Sequence, residues 1–318
     1  MRLVYKKMPE LPEVETVTRG LNKVIPGEQV KKVEVLRPDS IAYPKQASDF
    51  ARNLQGHVFK RAARRGKYII IELSDQARLV VHLRMSGRLV IRDDFGEPNF
   101  LRVRIMLKSG RELHFEDMRV FGRLWYVPSN IKIEKVVGGL AELGVEPLTD
   151  LNADLLAARL HGKKQPIKSA LLDQRIIAGI GNIYADEALF LAGIHPRRAA
   201  GSLSKDELAK LVPTIVIVLS RAIELGGTTL RDYQDLEGAN GNYQHDAYVY
   251  GRKGLLCLKC KNIEIERLKL AGRSSHFCPR CQPLDPRGAK AKRPIKASDD
   301  RKDKKPKRVK RLPAGRKA

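Results

Sequence analysis

The sequence predicts a multidomain α+β protein: an N-terminal antiparallel β-sandwich carrying one helix, then a helical domain, then a small finger closed by four cysteines. Three observations predict it. Apolar runs of strand length, separated by polar and glycine turns, extend from Val30 to Val127. Beyond Asp150 the apolar residues recur at helical spacing. All four cysteines fall in the pattern Cys257-x2-Cys260-x17-Cys278-x2-Cys281. With 318 residues, 42% of them hydrophobic, the chain can bury more than one core.

The stretch Met8-Pro9-Glu10-Leu11-Pro12-Glu13-Val14-Glu15-Thr16 opens an amphipathic helix with Val14, Val17, Leu21 and Val24 on one face. Pro12 suits the first turn, where a missing N–H costs nothing. Glu13 and Glu15 suit the positive end of the helix dipole. An ordinary capped helix leaves Pro9 and Glu10 unexplained. With Met8 as the functional start and then removed, Pro9 becomes the N-terminus and its ring nitrogen a free secondary amine. An α-amino group titrates at about 8, against about 10.4 for lysine, so more of it is unprotonated at neutral pH. Such an amine can attack a carbon bearing a leaving group and form an iminium, with Glu10 beside it to move protons. Residues 1–7 have neither the apolar core of a signal peptide nor the length of a membrane span, and are read as an extension outside the functional chain.

Within the strand-patterned region, Ser74-Asp75-Gln76 and Lys108-Ser109-Gly110-Arg111 read as hairpin connections. Lys60, Arg61, Arg64, Arg65 and Lys67 put five cations into eight positions, a density that phosphate binding explains. Two later turns carry Met85, and Arg119 with Phe121. On composition alone a Met or Phe in a sandwich belongs to the core.

Around 138–150 the chain becomes Gly- and Leu-rich without period, and the domain boundary is placed there. Lys163-Lys164-Gln165-Pro166-Ile167-Lys168 leads into a helix through Leu172. Then Gly179-Ile180-Gly181-Asn182 separates two apolar helical patterns. Two glycines permit a tight turn, and Asn182 would begin a helix whose free N–H groups attract anions. Ser204-Lys205-Asp206-Glu207 reads as a capping box for a helix to Leu225, kinked near Pro213. Residues 237–243 read as a mobile loop.

The two Cys-x2-Cys knuckles fit a tetrahedral zinc site, and four protein ligands make such a zinc structural. Two disulfides are the alternative pairing; the confinement of every cysteine to this pattern and the lack of a secretion signal favour zinc. Lys plus Arg total 61 against 36 Asp plus Glu, a net charge of +25. The tail 284–318 holds 15 Lys/Arg and 4 Asp/Glu, contributing +11, so the remainder still carries +14. That balance suits a polyanionic partner, and the tail's composition suits an unstructured segment adding salt-sensitive nucleic-acid affinity.

The Pro-Glu start, Gly66-Lys67-Tyr68, the Gly-x-Gly-Asn turn and the four-cysteine finger, in this order from Met8 to about Gln282, resemble the formamidopyrimidine-DNA glycosylase family of bacterial enzymes, which remove oxidised purines from DNA. The resemblance implies a catalytic β-sandwich domain over 8–137, a helix-two-turn-helix domain over 138–243 and a zinc finger over 244–283. It implies a glycosylase and lyase in which Pro9 is the nucleophile and Glu10 and Lys67 assist proton transfer. By the same resemblance, Arg273 of the finger would contact phosphate and serve the last elimination. The resemblance further implies that Met85, Arg119 and Phe121 fill the space left by the flipped nucleotide, and that Lys163, Lys168 and Asn182 bind DNA, the last two holding phosphates beside the lesion. It also implies that the loop 237–243 closes over the flipped purine. The implied partner is double-stranded DNA bearing oxidised bases, bound by a monomer in the bacterial cytoplasm at the nucleoid, with no membrane. The chain departs from the family pattern at Arg84, where glycine is usual, at Met118 and Val120, which replace proline and arginine, and at Asn99-Phe100, which lack a histidine. An endonuclease VIII-like enzyme acting on oxidised pyrimidines is the nearest alternative. A DNA-binding protein without catalysis is the reading that a retained Met1 would require.

Overall fold

The computed structural model describes residues 8–93, 98–228 and 241–284. The expected extension 1–7, residues 237–240 of the expected loop, and the tail from 285 onward lie outside the described residues.

Helix α1 (Leu11–Val24) forms where expected and buries Val14, Val17 and Leu21, each 1% exposed or less. Each such side chain stabilises the fold by about 1.5–3 kcal/mol. It packs on a sandwich of β1 (Val30–Val35), β2 (Ile41–Tyr43), β3 (Phe59–Arg65), β4 (Tyr68–Leu73), β5 (Arg78–His82), β6 (Gly87–Arg92), β7 (Leu101–Leu107), β8 (Glu112–Asp117) and β9 (Arg123–Val127). Among the described residues one sheet has the order β1-β7-β8-β6 and the other β2-β9-β5-β4-β3. Both expected hairpins close: Ile71 pairs with Leu79 across 74–76, and Ile105 with Leu113 across 108–111. The alternation along β7 places Val103 and Ile105 in the core that the two sheets share with α1.

Two features depart from the strand-patterned expectation. Strand β2 pairs parallel to β9, Ile41 with Leu124, because the chain crosses from one sheet to the edge of the other. Helix α2 (Ala47–Leu54) interrupts the strands; Ala47, Phe50, Ala51 and Leu54 fall at helical spacing, and Phe50 and Leu54 are fully buried.

The short helices α3 (Ile133–Val136) and α4 (Gly138–Ala141) lead from the sandwich to α5 (Ala153–Leu160), capped by Asn152, whose side chain accepts from the Leu155 N–H. Helices α6 (Ile167–Leu172), α7 (Asn182–Ala192) and α8 (Lys205–Glu224) follow. The Ser204–Glu207 capping box forms, and α8 is a single helical element with Pro213 inside it. Helix α7 is nearly apolar and buried on all sides, except that it carries Asp186 and Glu187, both 1% exposed or less. The finger hairpin is β10 (Glu266–Leu270) paired with β11 (Arg273–Phe277).

Candidate active site and nucleic-acid interface

The N-terminal end of α1 is seated on the Gly-x-Gly-Asn turn. The Leu11 N–H donates to the Gly179 carbonyl at 3.0 Å, and Glu10 Oε1 accepts from the Ile183 N–H at 3.2 Å. Both glycines are required for this fit. Gly179 has φ +84, the left-handed region that L side chains avoid, and a Cβ there would press on Leu11. A Cβ at Gly181 would land on the Glu10 carboxyl group. Gln174 braces the turn from inside, accepting from the Gly179 N–H at 2.8 Å and donating to the Ile180 carbonyl at 2.8 Å.

Glu13 fixes the same junction from the opposite end of its side chain. Its Oε2 accepts from the Glu10 N–H at 2.8 Å, while Oε1 accepts from the Tyr184 hydroxyl at 2.5 Å and the Thr228 N–H at 2.8 Å. Burial, reinforced by Glu13 and Glu10, pushes the Tyr184 phenol well above its ordinary pKa, so it is a permanent donor here. The sequence offered a signal for this: Glu10 and Glu13 are three residues apart, as in a capping box.

Pro9 is buried and Met8 half-buried, and Met8 lines a cleft of about 320 Å³ together with Lys67, His82, Arg84 and Arg273. Lys67 reaches this cleft from the turn between β3 and β4, and Arg273 from the first position of β11. Burial, then the neighbouring Arg84 and Lys67 charges, drives the pKa of His82 down to about 3, so its ring is neutral. Its Nδ1 accepts from the Arg84 N–H at 3.0 Å.

The basic run before Lys67 requires a correction. Phosphate binding does not account for all five cations. Arg61 donates twice to Glu72, and Arg64, only 8% exposed, donates to Glu15 at 2.9 Å and to Glu146 at 2.9 Å. Arg65 also reaches Glu146, at 3.0 Å, and so does the Gly66 N–H. Arg64 and Arg65 neutralise the largely buried Glu146 carboxylate and orient the Lys67 turn, a role invisible in sequence because Glu146 lies 80 residues from Gly66.

Met85, Arg119 and Phe121 come together outside the core, on the β5–β6 and β8–β9 turns. Arg119 Nη1 donates to Met85 Sδ at 3.2 Å, its guanidinium carbon stands 4.7 Å from the Phe121 ring centroid, and Phe121 is 44% exposed. Two residues in these turns have positive φ without being glycine: Arg84 at +54° and Val120 at +56°. Asp117, fully buried, holds both turns, accepting from Ser86 Oγ and the Arg119 and Gly122 N–H groups.

Asn182 is the first residue of α7, and its buried Oδ1 has no hydrogen-bond partner among the described residues. Lys168 is buried and donates to Asp186 Oδ1 at 2.7 Å and to the Ser274 carbonyl at 2.7 Å, two of its three donor sites. Burial lowers its pKa and Asp186 opposes that shift. Asp186 also accepts from Ser275 Oγ and the His276 N–H, so α7, α6 and the finger hairpin meet on one carboxylate. Lys163 is half-buried after α5, with its charge felt at Asp173, and is not among the residues lining the cleft.

The cysteine geometry fits zinc. All four Sγ atoms lie within 4.8 Å of one another, with Cys257 to Cys281 at 3.8 Å and Cys260 to Cys278 at 3.7 Å. A tetrahedron with Zn–S bonds of about 2.3 Å has edges of about 3.8 Å. A disulfide needs about 2.05 Å, and all four thiols are free, which removes the disulfide alternative. The site takes one structural zinc. Glu187 ties the preceding segment down, accepting from the Tyr248, Val249 and Tyr250 N–H groups at 2.7–3.0 Å. Sequence reading overlooked this role, although two adjacent acids in an apolar helix were its signal.

Known proteins match along the same three regions. Residues 8–124 match the formamidopyrimidine-DNA glycosylase N-terminal domain, 143–234 its H2TH domain, and 254–284 the zinc finger found in FPG and IleRS. The formamidopyrimidine-DNA glycosylase of Gloeobacter violaceus is 53% identical over 279 residues, covering 86% of this chain and 98% of that protein. The Lactococcus lactis Fpg in complex with abasic-site DNA superposes with a TM-score of 0.79 at 35% identity, covering 86% of this chain and 99% of that one. A mutant of the same enzyme with Fapy-dG-containing DNA gives a TM-score of 0.79 at 35% identity, covering 86% and 100%. The N-terminal end of α1 seated on its glycine turn, the paired turns and the four-thiolate finger are therefore those of a member of the formamidopyrimidine-DNA glycosylase family, to which this chain belongs.

Proposed function

We propose that this glycosylase binds duplex DNA, removes oxidised purines such as 8-oxoguanine and formamidopyrimidines, and then cleaves the strand as a lyase. The observation that carries this reading is the seating of Glu10 and Leu11 on Gly179–Ile183, which brings the adjoining Met8 to a cleft that Lys67 and Arg273 also line. Loss of Met1 to Met8 frees the Pro9 nitrogen, and the family match beginning at residue 8 supports that start. The nitrogen lone pair forms a bond to C1′ of the flipped nucleotide, and the base leaves with the glycosidic electron pair. Glu10 and Lys67 move protons at the sugar, and opening of the sugar ring gives an iminium. Loss of the C2′ proton then expels the 3′ phosphate, and a second elimination, served by Arg273, expels the 5′ phosphate. Met85, Arg119 and Phe121 offset the cost of unstacking by filling the vacated space. Asn182, Lys168 and Lys163 hold the strand, and the Asn182 amide and the third Lys168 donor support this role. The protein acts as a monomer.

The test is borohydride trapping on a duplex bearing 8-oxoguanine opposite cytosine, using protein expressed with its native start region, with the adduct located by mass spectrometry. An adduct on an N-terminal Pro9 is the expected result. No adduct with Met1 retained would favour DNA binding without catalysis, and no adduct despite a free Pro9 would redirect the reading to oxidised pyrimidines.

A further inference from the structure

Arg84 is a cation of the cleft whose side chain the chemistry above does not use. Its side chain is exposed and lines the cleft with Lys67 and Arg273, and the next residue in the chain is Met85. Many arginines of the sandwich are committed: Arg64, Arg65, Arg88, Arg92, Arg104 and Arg111 all pair with carboxylates. Among the described residues Arg84 makes no ion pair, not even with Glu142, the carboxylate that lines the same cleft. Its backbone sits at φ +54, held there by the N–H donated to His82 Nδ1. A side chain in that conformation carries strain that glycine avoids. The position thus carries an uncompensated cation at the mouth of the cleft, at a standing cost in stability.

We propose that Arg84 is a phosphate-binding residue, its guanidinium taking a phosphodiester of the DNA strand beside the nucleotide drawn into the cleft. The inference rests on the DNA-binding reading above. A planar fork of donors on a turn whose backbone is pinned matches a phosphate's two free oxygens. Because Met85 follows directly, the same turn would position the phosphate and fill the gap in the stack.

The test is equilibrium binding of a duplex containing a tetrahydrofuran abasic analogue over a series of salt concentrations, for the wild type, R84G, R84Q and R84K. R84G relieves the left-handed strain, so it is expected to fold with a raised Tm and yet bind about tenfold more weakly near 0.1 M salt. The slope of log K against log salt should fall by about 0.9 in R84G and R84Q and stay near wild type in R84K. An unchanged slope in R84G overturns the proposal while leaving the DNA-binding reading intact. Absence of salt-dependent binding by the wild type overturns both.

Discussion

The Ser86 hydroxyl donates to Asp117 Oδ1 at 2.5 Å, and through that bond the turn carrying Met85 is fastened to the turn carrying Arg119 and Phe121. Asp117 is fully buried and spends its second oxygen on the Gly122 N–H, at 2.7 Å. Asp117→Asn keeps the shape but turns one acceptor into a donor facing N–H groups. It should lower stability by about 2–3 kcal/mol in denaturant titrations. Ser86→Ala should cost about 1 kcal/mol and weaken binding to lesion duplex more than binding to undamaged duplex, as a filter-binding comparison would show.

Gly181→Ala should reduce single-turnover cleavage at least as severely as Glu10→Gln, on the order of a hundredfold, because a Cβ there displaces the Glu10 carboxyl group. Preserved cleavage in Gly181→Ala would mean that the seating of Glu10 on the turn is dispensable.

Glu146→Gln should leave the sandwich folded yet loosen the Lys67 turn, since Arg64, Arg65 and the Gly66 N–H all converge on that carboxylate. A buried ion pair broken on one side costs about 3–5 kcal/mol. The expected signature is a fall in kcat with little change in DNA affinity, measured by cleavage and binding on the same duplex.

Acid should destabilise this protein through two histidines. Burial, followed by Arg84 and Lys67, holds His82 at about 3; burial, followed by Arg197, holds His195 at about 4. The unfolded chain takes up these protons below about 6.5, whereas the folded chain resists until pH 3–4. Stability therefore falls as pH drops through that window, by up to about 1.4 kcal/mol per pH unit per group. His82→Asn retains an acceptor for the Arg84 N–H and should flatten the decline of Tm between pH 6 and 4.

Removing zinc with a chelator should release the finger without unfolding the sandwich. The finger's apolar cluster is small and borrows Phe190 from α7, so the metal supplies much of its stability. Circular dichroism should change modestly while strand cleavage is lost, and zinc analysis of the untreated protein should give one ion per chain.

Much of this was legible in sequence because it rests on local rules. The helix after Pro9-Glu10, the hairpins at 74–76 and 108–111, the capping box at Ser204 and the cysteine spacing each need only a few neighbouring residues. What escaped reading depends on partners far away in the chain. Arg64 and Arg65 looked like phosphate ligands because Glu146 is remote, and Glu13 looked like a helix-dipole residue because Tyr184 and Thr228 are. Buried carboxylates explain most of the misreadings. Their sequence signal, an acid inside an apolar stretch as at Asp186-Glu187, marks the position but not its partner.

The seating of Glu10 against Ile183 joins residues 173 positions apart, and the cleft is completed by Arg273, near the end of the folded chain. On the ribosome, where domains fold from the N-terminus as they emerge, Pro9 and Glu10 appear first and the turn that seats Glu10 much later. A truncated product ending before Gly179 would carry Pro9 and Glu10 without the turn that seats them. The topology thus makes the seating of Glu10 wait for synthesis past Ile183.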